Sequence, residues 1–438
     1  MKKKKERNRK RSGWIDIAKG IGICIIVLGH CCIQDNQIPF RDYLFSFNTV
    51  LFFTLSGMTF CRRRNTAGEN GAGGEAAGGE SARCESTGCR SAVWDFDDRK
   101  ASVFFRKLLQ TIVVPYLCWA LISIAIFLLM GRIGLVPNEG DSLGLWTNLK
   151  GMLYANSEWG QMMWNRPLWF LPCLAILEIL GFMLLKGCTK LAERRGEKAG
   201  EVCWLLAGCL GGVWILAEGF GSLDVQLPWE AETAAGMLFF FCLGRVWMRV
   251  SDRLENADSP IGIERDEPGV PAAAESSVDT ERTEPGVPAA AEKKKAAARK
   301  NTNTVRIRMF AGAGGVILLI LNILQVRING TTDTRADLFR NPLLYMLGAL
   351  LGTLGILLLA YAWKQSVWME KIGRSSLAIL VMHKFPLQAA DVLASRLQLP
   401  KGYPFSIVTC VCSILLCLAV EPLVLRILPE MLGKGRRR

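Results

Sequence analysis

Histidine is nearly absent from this chain, which has two in 438 residues. So few imidazoles argue against a zinc site, and no Cys-x-x-Cys pair occurs among the 15 cysteines to supply thiolate ligands instead. Most cysteines lie inside apolar runs, where cysteine behaves as a small hydrophobe, as Cys24, Cys118, Cys209, Cys410 and Cys417 do. We therefore expect neither a bound metal nor a disulfide framework.

The first apolar run also lacks the small-residue cleavage pattern of a secretory signal peptide. It follows the basic tail Lys2–Arg11 and ends at His30-Cys31-Cys32, and several further apolar runs come after it. We expect this run to remain in the protein as a membrane anchor.

Apolar residues, by contrast, make up 50% of the chain, together with a net charge of +14. These two properties are compatible when apolar segments lie in lipid and the charges gather in loops. Runs of about 17 to 22 apolar residues, the length that a helix needs to cross the hydrocarbon core, recur along the chain. They predict an all-α polytopic membrane helix bundle of about ten transmembrane helices, namely Trp14–Ile33, Tyr43–Cys61, Leu108–Met130, Leu168–Leu185, Val202–Ala217, Ala234–Val250, Met309–Val326, Leu343–Trp363, Ser376–Val392 and Phe405–Leu425.

The positions of Lys and Arg predict the orientation, because cytoplasmic loops hold an excess of them. If ten helices alternate from a cytoplasmic N-terminus, about four fifths of the 53 basic residues fall on the inner side. Both termini are then basic cytoplasmic tails, residues 1–13 and 429–438.

Two long cytoplasmic segments have compositions typical of disorder. The first is rich in Gly, Ala and Glu, and the second contains a duplicated stretch, Glu264–Glu275, that returns at Glu281–Glu292. A basic cluster at Lys293–Lys300 is suited to contact anionic lipid headgroups or to fix the topology. Neither segment resembles a catalytic domain. The predicted division is TM1–TM2 in 14–61, a disordered loop in 62–101, TM3–TM6 in 102–255, a disordered loop in 256–304 and TM7–TM10 in 305–428.

Three ionisable residues interrupt the first apolar run: Asp16, Lys19 and His30. Such groups are costly inside a bilayer and persist mainly where they face the bundle interior or a wet cavity, so they are candidates for function. Lys19 and His30 are about three helical turns apart and share one face, with roughly 16 Å between them along the axis. Asp16 lies one turn before Lys19 and is placed to pair with it.

Each of these residues also has a purely structural explanation. Lys19 can extend to the cytoplasmic interface with Asp16 as its partner, and His30 can lie at the outer interface, satisfied by a neighbouring helix. The second histidine, His383, is also inside an apolar run, however, so both imidazoles fall in the bundle. That distribution favours imidazole chemistry there, and whether the two rings meet is left open by the sequence.

Five segments, in chain order, resemble signature elements of the membrane-bound acyltransferase family 3, which includes polysaccharide O-acetyltransferases and fucose 4-O-acetylase-like proteins. They are Asp16-x-x-Lys19-Gly20 with Val27–His30, Leu51–Gly57, Arg106-Lys107 before Pro115-Tyr116, Arg166–Leu171, and Leu377–Pro386 around His383. This sequence departs from the family at three places: the family usually has arginine at position 19, His-Met-Pro at 48–50, and paired arginines at the start of the third helix.

The resemblance implies an integral membrane O-acyltransferase of the bacterial cytoplasmic membrane. It would move an acyl group, most often acetyl, from cytoplasmic acyl-coenzyme A to a hydroxyl of a cell-surface or lipid-linked glycan. The expected partners are acyl-CoA, a glycan or lipid-linked sugar acceptor and membrane lipids. Acetyl-CoA is the expected co-substrate, and no metal or nucleic acid is expected.

The chemistry of acyl transfer suggests roles for the polar residues. A hydroxyl is a poor nucleophile until a base removes its proton, so we expect His30 to be that base or an acyl-accepting nucleophile. Lys19, with which Asp16 can pair, is expected to hold the coenzyme's phosphates together with Arg106 and Lys107 on the cytoplasmic side. His383 is expected to orient the acceptor or stabilise charge. The other expected substrate-binding residues are Ser56, Arg166 and Trp169. For Ser56 the alternative is close helix packing beside Gly57.

Two other function classes fit part of the pattern. A transporter or flippase also uses intramembrane His, Lys and Asp, and Glu178 in the fourth run either joins such a proton path or bonds a neighbouring helix. No inverted repeat relates the two halves, which a transporter would favour. A membrane sensor would need loops that bind partners, and nothing in the loops resembles a binding motif.

Overall fold

The structure, a computed structural model, describes residues 13–31, 38–60, 101–135, 144–155, 163–219, 227–257, 288–330, 332–333, 338–363 and 365–435. The α-helices of this part are α1 Gly13–Cys31, α2 Ile38–Phe45, α3 Asn48–Thr59, α4 Ala101–Leu108, α5 Val114–Arg132, α6 Leu145–Tyr154, α7 Phe170–Arg195, α8 Glu197–Gly219, α9 Ala231–Ala257, α10 Pro288–Asn329, α11 Pro342–Ala362, α12 Val367–Arg374, α13 Ser376–Met382, α14 Lys384–Arg396 and α15 Tyr403–Ile427.

Short irregular elements connect these helices. A π-helical turn, Leu109–Val113, makes α4 and α5 one continuous helical segment, and 3₁₀ turns occupy Met163–Trp169, Pro228–Glu230 and Pro429–Leu432. Between α10 and α11, strand β1 (Thr332–Asp333) pairs antiparallel with β2 (Leu338–Phe339). The described part of the chain is therefore a helical bundle with one two-residue hairpin.

Several of these helices are long and apolar enough to cross a membrane, which confirms a multi-pass membrane protein. In the part of the chain that the structure describes there are seven, and the pair α13–α14, bent by 42°, makes an eighth if it counts as one span. The seven are Gly13–Cys31, Ala101–Arg132, Asn165–Arg195, Lys198–Glu218, Val305–Asn329, Pro342–Ala362 and Tyr403–Ile427. The expected total of ten and the sides of the termini stay predictions.

Two expected spans are not among these candidates. Tyr43–Cys61 is divided between α2 and α3 by a turn at Ser46 and Phe47, so neither piece has the length of a span. The other, Ala234–Val250, lies in α9, whose apolar stretch is bounded by buried Glu232 and interrupted by buried Arg245. Buried polar side chains lower the mean hydropathy of α9 without stopping the helix.

The predicted loops and tails differ from the structure in two places. Helix α10 begins at Pro288, so residues 288–304 are helical where the sequence predicts disorder, because this stretch is rich in alanine, the strongest helix former. At the other end of the chain, the turn Pro429–Leu432 packs on α5, where Trp119 Nε1 donates to the Met431 carbonyl at 3.0 Å. Residues 62–100, 258–287 and both chain ends, 1–12 and 436–438, lie outside the described residues.

Helix α1 lies at the centre of the bundle, in contact with α3, α11, α12, α13 and α15. Two crossings are so close that only glycine fits. A Cβ at Gly373 of α12 would overlap the Asp16 carbonyl oxygen of α1, and a Cβ at Gly57 of α3 would overlap the Phe241 carbonyl oxygen of α9. These crossings hold α1 and α3 in fixed register against their neighbours.

Candidate active site

The two histidines of the chain meet inside the bundle. His30 lies in the last turn of α1, and His383 lies at the bend between α13 and α14, yet their ring centroids are 5.3 Å apart with the planes inclined at 31°. His383 is fully buried. We call His30 and His383 the histidine pair. The sequence left this contact open, and the structure supplies it.

The hydrogen bonds of His383 identify its tautomer. Nδ1 lies 2.8 Å from the carbonyl oxygen of Leu380 and 3.0 Å from that of Ile379. A carbonyl oxygen only accepts, so Nδ1 carries the proton and Nε2 keeps its lone pair. Nε2 is buried and has no hydrogen-bond partner among the described residues. His383 therefore presents a buried basic nitrogen inside the bundle.

His30 also has a buried ring nitrogen. Its Nδ1 is buried and also lacks a partner among the residues that the structure describes. The ring is held edge-on against Phe45 of α2, at a centroid distance of 5.6 Å. Because a buried polar atom without a partner is costly, two of them on adjacent rings make the histidine pair a candidate functional site.

Positive side chains surround the histidine pair. The Arg41 guanidinium lies 5.3 Å from the centre of the Phe45 ring, and Lys384 follows His383 directly in the chain. Both cations are close enough to act electrostatically on His30, and Arg166 acts in the same way on Lys384. Of these three residues, sequence analysis named only Arg166.

Asn165 is a site residue that sequence analysis missed. It is 1% exposed, and its Nδ2 donates to Ser123 Oγ at 3.0 Å and to the Val381 carbonyl at 3.2 Å. Val381 lies in the helix that leads into His383, so Asn165 ties α5 and α13 together beside the histidine pair. The only signal in the sequence was its position directly before the Arg166–Leu171 element.

Asp16 has a partner that sequence analysis did not identify. It is buried, and its Oδ2 lies 3.9 Å from Arg374 Nη1 of α12. The same guanidinium nitrogen donates to Glu370 Oε2 at 3.3 Å. Lys19 is half-buried on α1, one turn beyond Asp16 and about three turns before His30. Lys19 and His30 therefore lie near opposite ends of α1.

Ser56 lies in α3, and Trp169 ends the 3₁₀ turn that leads into α7. Ser56 Oγ donates to Glu178 Oε1 at 3.3 Å, which links α3 to α7. Trp169 is half-buried, with its ring edge-on to Phe170 at 6.3 Å. The hydrogen bond of Glu178 agrees with the structural explanation of that residue, and the glycine crossing at Gly57 agrees with the packing explanation of Ser56.

Arg106 and Lys107 are exposed in the last turn of α4. The continuous helix that carries them runs on to Ser123, the contact of Asn165, roughly 24 Å further along the axis. The structure therefore places these two cations far from the histidine pair.

A family model described as an acyltransferase domain, of the acyltransferase 3 type, matches residues 12–421 of the chain. The match includes every candidate residue described above. Searches of curated proteins and of solved structures found no match to this chain.

Proposed function

The chain belongs to the membrane acyltransferase family 3, and on that premise we propose that it transfers an acyl group, most simply acetyl, from cytoplasmic acyl-coenzyme A to a hydroxyl of a cell-surface or lipid-linked glycan. As a multi-pass membrane protein it is suited to join a cytoplasmic donor to an acceptor in or across the bilayer. The bacterial cytoplasmic membrane is the proposed location.

The observation that carries this proposal is the histidine pair. In acyl transfer the acceptor oxygen attacks the thioester carbonyl while a base takes its proton, and coenzyme A leaves as the thiol. His30 Nδ1 is buried, unbonded among the described residues and adjacent to the second imidazole. We assign the proton transfer to His30. His383, with its tautomer fixed by two backbone carbonyls, orients the acceptor hydroxyl through Nε2.

The donor is proposed to lie along α1. Lys19 would hold a phosphate of coenzyme A, with exposed Arg106 and Lys107 adding positive charge on the same side of the membrane. The roughly 16 Å along α1 from Lys19 to His30 is comparable to an extended pantetheine arm. Asp16, bound by Arg374, fixes the α1–α12 contact beside Lys19.

The acceptor is proposed to enter from the 3₁₀ turn that carries Arg166 and Trp169. A half-buried indole offers a flat apolar face to a sugar ring, and an arginine next to it offers hydrogen-bond donors. Ser56, bonded to Glu178, supports the helix that lies behind this turn.

The test is acyl transfer by purified protein from radiolabelled acetyl-CoA to candidate glycans. His30→Ala is expected to lower the rate about 10²–10⁴-fold, because a positioned base contributes that much. The matched control is Cys24→Ala, which removes a half-buried side chain from the same helix and is expected to keep normal activity. Both variants should insert and accumulate like the unaltered protein. Full activity in His30→Ala would refute the assignment of the base.

A further inference from the structure

The proposed proton transfer does not require the positive charges beside the histidine pair. A neutral imidazole suffices to remove a hydroxyl proton, and the coenzyme's phosphates are assigned to the other end of α1. Charged groups inside a membrane bundle are costly and persist where they serve a function. The cations at this end of α1 therefore require a separate explanation.

Two cations lie near the ring pair. The Arg41 guanidinium lies over the Phe45 ring at 5.3 Å, and the Phe45 and His30 rings pack edge-to-face with their centroids 5.6 Å apart. Lys384 is the first residue of α14, follows His383 directly in the chain and acts electrostatically on His30. Ring contacts therefore connect Arg41 through Phe45 to the histidine pair, and the backbone connects Lys384 to the same pair.

Arg166 adds a third cation beside Lys384. The neighbouring residue, Asn165, bonds the Val381 carbonyl of α13, which fixes the start of the 3₁₀ turn next to the bend at His383. Arg166 acts electrostatically on Lys384 across this contact. We call Arg41, Arg166 and Lys384 the cation set.

Two carboxylates of the described residues lie near the cation set. Asp391, two turns along α14, acts on Lys384, and buried Asp42 follows Arg41 in α2. The Arg41 Nε is buried and has no hydrogen-bond partner among the described residues. In this part of the chain, a guanidinium nitrogen near the histidine pair therefore lacks an acceptor.

We propose that the acceptor carries an anionic oxygen group, a carboxylate or a phosphate, close to the hydroxyl that is acylated, and that Arg41 and Lys384 bind it. This inference rests on the proposed acyl transfer and adds the substrate class. A guanidinium binds planar or tetrahedral oxyanions through its fork of N–H donors, and the lysine ammonium adds a point charge. The binding of an anion would supply the Arg41 Nε with an acceptor.

The anionic group has two possible sources, which one assay distinguishes. A methyl glucuronoside and its uncharged methyl ester test a sugar carboxylate. A prenyl-phosphate-linked sugar and the prenyl glycoside without phosphate test the phosphate of a lipid carrier. Protein in nanodiscs is supplied with radiolabelled acetyl-CoA and each acceptor in turn. We expect the charged member of one pair to have a KM about tenfold lower than its neutral partner, since a charge-assisted hydrogen bond contributes about that much.

The variants are Arg41→Gln and Lys384→Gln. Each should raise the KM for the charged acceptor about tenfold more than the KM for the neutral acceptor, and should leave the KM for acetyl-CoA unchanged. Activity on the neutral acceptor also shows that the variant is folded. The matched control is Arg396→Gln, which removes an exposed cation at the far end of α14 and should change nothing.

Two outcomes overturn the inference: equal KM values within both acceptor pairs, or equal losses on charged and neutral acceptors in the variants. Titration of the protein with free glucuronate and with glucose, without donor, separates this inference from the proposed function. Glucuronate binding that is lost in Arg41→Gln and Lys384→Gln, in a protein that transfers no acyl group, would support the anion site and refute the acyltransferase activity. Acyl transfer that shows no preference for the charged acceptor would support the acyltransferase activity and refute the anion site.

Discussion

Lys19 and His30 lie on one helix, so the proposed position of the donor along α1 can be tested by changing Lys19 alone. If Lys19 holds a coenzyme phosphate, Lys19→Ala should raise the KM for acetyl-CoA about tenfold with little change in kcat, because it removes binding and not chemistry. Lys19→Arg should retain or improve the affinity, since a guanidinium grips phosphate through two N–H donors. Steady-state kinetics at varied acetyl-CoA measure both.

The control for this experiment is Lys190→Ala, which removes an exposed cation from α7, on the same side of the membrane in the predicted topology. It should leave the KM for the donor unchanged. An unchanged KM in Lys19→Ala would remove the proposed phosphate role and leave Lys19 as an interfacial lysine.

At this scale the sequence made the two histidines candidates for the site but did not indicate their surroundings. Scarcity alone identified His30 and His383, because a chain with two histidines that places both in apolar runs restricts the choice. Asn165, Arg41 and Lys384 carry no such signal. Their roles depend on α2 folding back so that Phe45 reaches His30, and on α13 lying against the 3₁₀ turn. These are tertiary contacts that a local pattern does not contain.

The helices could be predicted where the length of an apolar run determines them. They could not be predicted where a contact with a residue distant in the sequence interrupts the run. The run Tyr43–Cys61 has the composition of one span, but it turns at Ser46, whose Oγ donates to the Tyr43 carbonyl at 2.8 Å and contacts Asn322 of α10 at 3.4 Å. The bend at His383 likewise coincides with the hydrogen bonds of its ring to the preceding turn. Both breaks place residues of the candidate site next to α1, and neither is visible in hydropathy.

The crossing of α1 and α12 predicts the behaviour of one glycine. A methyl group at Gly373 would overlap the Asp16 carbonyl, which belongs to a helix backbone and has no room to move aside. We expect Gly373→Ala to cost about 1–3 kcal/mol of stability and to lower the melting temperature in detergent. Since Asp16 and Lys19 lie on the displaced turn, affinity for the donor should fall as well.

Gly187→Ala is the matched control for this crossing. Gly187 is also in a helix, α7, but a Cβ there would meet nothing within 4 Å. It should be neutral or slightly stabilising, because alanine favours the helix. Equal melting temperatures for the two variants would contradict the tight crossing at Gly373.

At the scale of the whole molecule, the family match covers almost the entire chain, whereas the count of membrane crossings depends on α2–α3 and α9. The positive-inside distribution favours ten crossings, with both of these regions spanning. In the described part of the chain, the helices that are long and apolar enough to cross number seven, or eight with the bent pair. A chain of eight and a chain of ten both return the C-terminus to the side of the N-terminus, so the position of the termini does not distinguish them.

Reporter insertions at described loops do distinguish them. With ten crossings, Gly134 after α5 lies outside and Gly196 after α7 lies inside; with eight, omitting α2–α3 and α9, these two positions exchange sides. Gly402 lies outside in both cases and serves as the control. Alkaline phosphatase, active only outside the cytoplasm, should therefore be active at Gly134 and Gly402 and inactive at Gly196.

Activity at Gly196 but not at Gly134 would support eight crossings, in which α2–α3 enters the bundle and returns on the same side. Activity lost at Gly402 would instead mean either that the bent pair α13–α14 does not cross or that α1 is inverted. In the second case Lys19 lies away from cytoplasmic acyl-CoA, and the donor assignment is wrong even though the histidine pair is unchanged.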